Sequence, residues 1–145
     1  SNSYPIEIAK FYPQIKVHQQ ACPMWVPLIE NNEHQSTGAD YFVKKDIDKL
    51  LSQSPDIDTI LLACTHYPLL IEKIKQFTPQ GMQVLSQGKI VADSLQEYLH
   101  RHPQMEAKCS KNGQISFFTT DSTEDFDCHA TNFYGKQIKS THLSL

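Results

Sequence analysis

The sequence predicts an α/β protein built on a parallel sheet, and three observations carry the prediction. A short apolar run, Ile60-Leu61-Leu62-Ala63, stops at Cys64 and gives way to Thr65-His66-Tyr67-Pro68 and then a helically periodic stretch. That order describes a buried strand whose carboxyl end opens into the first turn of a helix. Strand-like and helix-like segments alternate along the whole chain, as in α/β rather than segregated architectures. Two longer stretches, 37–51 and 89–100, place apolar residues at helical spacing.

Taken in order, residues 4–12 read as a short helix, with Ser3 as a candidate cap and Pro13 as its stop. Residues 14–21 read as a strand carrying Ile15 and Val17. Residues 22–35, with Pro23 and Pro27, form a loop or a broken helix. Ser36 or Thr37 then caps a helix with Phe42, Val43, Ile47, Leu50 and Leu51 inward, and Tyr41 and Phe42 are expected in the core. Pro55-Asp56 turns into the strand that ends at Cys64. A helix over 67–77 buries Leu70, Ile71, Ile74 and Phe77 and stops before Pro79. A strand at 83–85 leads into the helix 89–100, whose apolar face is Ile90, Val91, Leu95, Tyr98 and Leu99. Residues 103–113 are polar and read as loose. A strand over 115–120 and a helix over 123–134 complete the chain.

Composition narrows the function classes. The chain has 145 residues, enough for one domain, and a formal net charge of -3 with no basic cluster, which argues against nucleic-acid binding. No apolar run approaches transmembrane length and no signal-peptide pattern occurs. The four cysteines, Cys22, Cys64, Cys109 and Cys128, are irregularly spaced, so they read as reduced thiols of a cytoplasmic protein.

The chemistry concentrates at Cys64. Ligands of open α/β sheets sit at the carboxyl ends of the strands. A helix N-terminus and a nearby imidazole both favour the thiolate, so Cys64 is expected to be reactive rather than a core-filling cysteine. His66 is placed to share or shuttle the thiol proton. Thr65 can contact a substrate carboxylate or simply cap the helix. Glu30 either holds the histidine or a substrate ammonium, or is a solvated surface carboxylate. Cys22 is expected to be structural, Cys109 exposed, and Cys128 beside His129 a packing residue. A zinc site from Cys22, Cys64, His66 and Cys128 lacks paired ligand spacing, and no metal or cofactor is expected.

The segment Ala63-Cys64-Thr65-His66-Tyr67-Pro68-Leu69-Leu70 resembles the second cysteine motif of the glutamate racemases, within the aspartate/glutamate racemase superfamily. Ala21-Cys22-Pro23-Met24-Trp25-Val26-Pro27-Leu28-Ile29-Glu30 is similar to the family's cysteine–proline segment. Looser likeness continues through Phe117-Phe118-Thr119-Thr120 and Phe133-Tyr134-Gly135. Ser86 and Gln87 depart from the family, which carries aspartate and a small residue there. The resemblance implies a Rossmann-like lobe of a two-lobe enzyme, with two cysteines facing each other across the substrate. The first lobe's aspartate-serine-glycine and cysteine-asparagine-threonine motifs do not occur, so the chain reads as the second half of such a protein. Residues 1–82 would then form the lobe bearing the Cys-Thr-His motif. Residues 83–145 would be a crossover and return segment packing on the other lobe.

What the resemblance implies for function is cofactor-independent interconversion of L- and D-glutamate, supplying D-glutamate for peptidoglycan. Catalysis would use Cys64, His66 and Glu30, with Thr65 and His66 at the substrate. Without a cofactor to delocalise a carbanion, two acid–base groups must straddle the α-carbon, and thiolate with thiol suits that task. One alternative is a related enzyme acting on aspartate or hydantoins. The other, of a different class, is a catalytically silent module that binds a metal or a partner. The segment alone is expected to be inactive. It is also expected to self-associate through apolar faces such as Val91, Leu95 and Phe118 that lack their cover.

Overall fold

The computed structural model describes residues 2–145. The chain divides into two compact units, Ser1–Leu85 and Ser86–Leu145. Both carry short parallel strands among helices, so the fold is the mixed α/β type that the sequence predicts.

In the first unit the helices are α1 (Ser3–Phe11), α2 (Trp25–Glu30), α3 (Thr37–Leu51) and α4 (Ile71–Phe77). Two strands, β1 (Thr59–Leu62) and β2 (Gln83–Ser86), pair with one another. The Ser36 hydroxyl accepts the Ala39 N–H at 3.2 Å and starts α3, as its position before a helical run predicts. Lys73 of α4 bonds the Ser36 carbonyl at 3.1 Å and pairs with Asp40, so α4 is tied to the opening turn of α3. The core lies between these elements. Ile29, Val43, Leu70 and Ile74 are completely or almost completely buried. Trp25 joins them and packs its ring 4.8 Å from that of Tyr67.

The first unit departs from the sequence expectations at several points. Ser3 is the first helical residue rather than the cap, and Asn2 precedes it without a capping side-chain bond. Residues 14–21 are not a strand: they run without regular structure, and Ile15 is 52% exposed. A strand needs a ladder partner, and β1 takes β2 instead. The helix expected over 67–77 opens as a 3₁₀ turn, Tyr67–Leu70, before α4 begins. Strand β1 itself ends at Leu62, two residues short of Cys64. Tyr41 is no core residue; it is 62% exposed, with its edge against Phe42 and Lys45 above its ring.

The second unit comprises α5 (Gln87–Arg101), a short α6 (Pro103–Glu106), β3 (Phe117–Thr119), α7 (Thr123–Tyr134) and β4 (Ser140–His142). Strands β3 and β4 are parallel, with Phe117 opposite Ser140 and Thr119 opposite His142. Helix α7 has the bounds that the sequence predicts, and the structure shows it capped at both ends. The Ser122 hydroxyl accepts the Asp125 N–H at 3.2 Å, and Gly135 closes the helix at a φ of 73°. Asp127 and Thr131 of α7 accept the N–H groups of Ser140 and Ile138, which fixes the return of the chain into β4. Residues 103–113 are not wholly loose, because α6 forms within them, and β4 forms where the sequence predicts no strand. Cys128 is exposed rather than packed.

Candidate active site

The site forms where α2, the end of β1 and the 3₁₀ turn converge. Strand β1 buries Ile60 and Leu62, and the chain then leaves the sheet through Ala63 to Cys64. Tyr67 and Leu69 N–H groups bond the carbonyls of Cys64 and His66 at 3.3 and 2.9 Å. These bonds hold Cys64, Thr65 and His66 in one tight turn. Pro68 supports the turn at little cost, because its missing N–H falls in the first helical positions, where donors lack partners.

Within that turn the Cys64 Sγ lies 3.9 Å from His66 Nδ1. The other ring nitrogen, Nε2, lies 2.6 Å from Glu30 Oε1. The carboxylate can only accept, so Nε2 carries a proton and donates it to Glu30. In the neutral ring the Nδ1 lone pair then faces the thiol. Glu30 thereby selects the tautomer and orientation of His66, as second-layer carboxylates do for functional histidines. Glu30 sits at the last position of α2, 36 residues before the histidine it holds. Cys64 is half-buried, and His66 and Glu30 are open to solvent on one side. Thr65 is exposed, and no side chain caps the 3₁₀ turn.

Cys22 makes an instructive contrast. It follows the irregular segment 14–21 and directly precedes Pro23, and its Sγ turns toward the Gln20 carbonyl at 3.6 Å. Burial pushes its pKa from 9.0 up to about 12, the negative charge of Asp46 adds to the rise, and the Tyr67 hydroxyl partly opposes it. Tyr67 is likewise raised to about 12, chiefly by burial, then by the nearby Cys22 and Cys64. Cys22 therefore stays a neutral thiol through the physiological range. Among the described residues, no group of three or more His, Cys, Asp or Glu side chains is arranged to hold a metal ion. No helix among them is long and apolar enough to cross a membrane.

The turn after β1 thus brings together a half-buried thiol, an imidazole facing it and a carboxylate that orients the imidazole. No protein-family model matches the chain. It is 36% identical over 143 residues to glutamate racemase 2 of Caldanaerobacter subterraneus subsp. tengcongensis, covering 99% of this chain and 53% of that protein. It is 32% identical over 146 residues to the glutamate racemase of Lactiplantibacillus plantarum, again across 53% of that protein. The glutamate racemase RacE1 structure of Bacillus anthracis superposes with a TM-score of 0.84 at 30% identity, over 99% of this chain and 53% of that one. The Francisella tularensis glutamate racemase, solved with D-glutamate, shares the fold with a TM-score of 0.80 at 23% identity, over 99% of this chain and 52% of that one. Over nearly its whole length the chain is similar in sequence and fold to glutamate racemases, and it spans about half the length of the curated relatives it matches.

Proposed function

We propose that the chain is the second half of a cofactor-independent glutamate racemase and supplies one of two thiols that act on opposite faces of the substrate. The observation that carries this reading is the Cys64–His66–Glu30 array, in which a carboxylate fixes the imidazole whose free nitrogen faces the thiol. Cys64 takes or returns the α-proton on one face, and His66 receives or supplies the proton that cycles through the thiol. Thr65 offers its hydroxyl to a substrate carboxylate. The second thiol comes from outside these residues, so the segment alone lacks half of the reacting geometry. That the Francisella relative was solved with D-glutamate supports glutamate as the substrate. The product would serve cell-wall synthesis in the cytoplasm. In this reading the residues from about 83 onward pack on the complementary lobe, which covers the apolar face of α5.

Circular dichroism of L-glutamate solutions tests the proposal. The chain alone leaves the signal constant. Combined with the complementary half of a racemase it abolishes the signal over time, and Cys64→Ala in the combined protein prevents this. Sustained racemisation by the isolated chain, or by the Cys64→Ala combination, overturns it.

A further inference from the structure

Two separate contacts join α2 to the turn that carries Cys64 and His66. One is the bond between Glu30 and His66 Nε2 at 2.6 Å, open to solvent on one side. The other is aromatic. The Trp25 and Tyr67 rings lie 4.8 Å apart with their planes tilted by 60°, within the geometry of favourable ring pairs. Trp25 is the first residue of α2 and Glu30 the last, so the two contacts stand about 7.5 Å apart along the helix axis. On the turn they fall on neighbouring residues, His66 and Tyr67. The Cys22 carbonyl adds a link beside the ring pair, accepting the Trp25 N–H at 3.2 Å and the Tyr67 hydroxyl at 3.5 Å.

Burial decides which contact leads. The His66 and Glu30 side chains are 35% and 47% exposed, and pairs that open to water give little net stabilisation after the cost of ordering both side chains. Such a bond follows the placement of its helix; it does not set it. Trp25 is 2% exposed and cannot shift without disturbing the core. Leu70 pins the far end of the 3₁₀ turn, four residues from His66, whereas Tyr67 is adjacent to it. The Tyr67 N–H also bonds the Cys64 carbonyl at 3.3 Å, so the residue that meets Trp25 closes the turn around the thiol as well. We propose that Trp25 and Tyr67 are positioning residues, whose ring contact sets the spacing of α2 from the turn and so keeps Glu30 on His66 Nε2 and the bare Nδ1 toward Cys64. The ring of Tyr67 does this rather than its hydroxyl, because 3.5 Å is long for an O–H···O bond. The role rests on the thiol–imidazole reading of the site and holds whatever the substrate.

Nitrogen-15 NMR of the neutral His66 ring, in the chain itself, tests the assignment, because protonated and bare ring nitrogens give separate signals. The unsubstituted chain should show the Nε2–H tautomer. Tyr67→Leu should lower the ratio of Nε2–H to Nδ1–H by about two- to tenfold, the scale of one aromatic pair. Tyr67→Phe, which keeps the ring, should retain the original ratio. In the Glu30→Ala background, where the acceptor is gone, Tyr67→Leu should change the ratio no further. A loss of stability alone would leave the ratio in the folded chain untouched. Trp25→Leu removes the other ring, should lower the ratio as Tyr67→Leu does, and supplies the variant arm if Tyr67→Leu does not fold. An unchanged ratio in either folded leucine variant, a loss in Tyr67→Phe equal to that in Tyr67→Leu, or an undiminished effect of Tyr67→Leu in the Glu30→Ala background would each overturn the positioning role alone. No tautomer preference in the unsubstituted chain would overturn the thiol–imidazole array itself, and the positioning role with it.

Discussion

The two units of the chain invest their apolar residues differently. Residues 1–85 contain Trp25, Ile29, Ala39, Val43, Ile47, Ile60, Leu62, Leu70 and Ile74, all buried. In residues 86–145 the buried apolar residue is Ile138. The second unit is not poor in apolar side chains. Ile90, Val91 and Leu95 follow helical spacing on α5, yet each is more than half exposed, as is Phe118 on β3. An amphipathic helix gains most of its stability from burying its apolar face, and this one buries none of it. The difference teaches that regular secondary structure and a core are separate achievements. The first unit has both, whereas the second has elements held by caps and side-chain tethers.

Truncation in the core is the strongest way to test the contrast. Ile74→Ala in the first unit should cost about 2–5 kcal/mol, because a fully buried branched side chain leaves a cavity behind. Leu95→Ala should change the isolated chain by about 0.5 kcal/mol or less, since its side chain is already in water. Urea midpoints measure both. Repeating the pair with a complementary racemase half present sharpens the comparison, because Leu95→Ala then becomes costly if α5 is covered.

Alkaline pH should weaken the first unit selectively. Cys22 titrates near 9.0 when unfolded and at about 12 when folded, so above pH 9 the unfolded chain sheds a proton that the folded chain retains. Stability is fully present below pH 9 and falls as pH rises toward 12. Tyr67, raised from 10.0 to about 12, adds to the loss at the upper end of that window. Cys22→Ala should flatten the slope of urea midpoint against pH. In iodoacetamide labelling resolved by site, Cys64 should react at lower pH than Cys22.

A smaller effect attaches to the tie between α3 and α4. Lys73→Met removes its bonds to Asp40 and the Ser36 carbonyl, and should cost about 1–2 kcal/mol because the ammonium is largely buried while Asp40 remains partly solvated. Smallest are the caps. Ser36→Ala and Ser122→Ala should each cost about 1 kcal/mol. In the first unit that loss should lower the cooperative midpoint. In the second, lacking a deep core, it should show as faster hydrogen exchange confined to α7.

What the sequence determined by itself was local or motif-borne. Ser36, Ser122 and Gly135 set the ends of α3 and α7 because caps act within a few residues of the groups they satisfy. The Cys64-Thr65-His66 order could be singled out for the same reason: a strand end, a turn and a thiol lie within one short stretch. Glu30 was nameable only as a candidate, because its hold on His66 depends on how α2 packs beside the turn. Tertiary structure also decided that residues 14–21 go unladdered while 140–142 become a strand. Strand propensity reports fitness for a pleated surface, and pairing is settled by which distant edge is available. The burial of Asp46 belongs to the same class. In the sequence it is one charge on a helix rich in charges, and only the packing of α3 against the rest of the unit covers most of its surface.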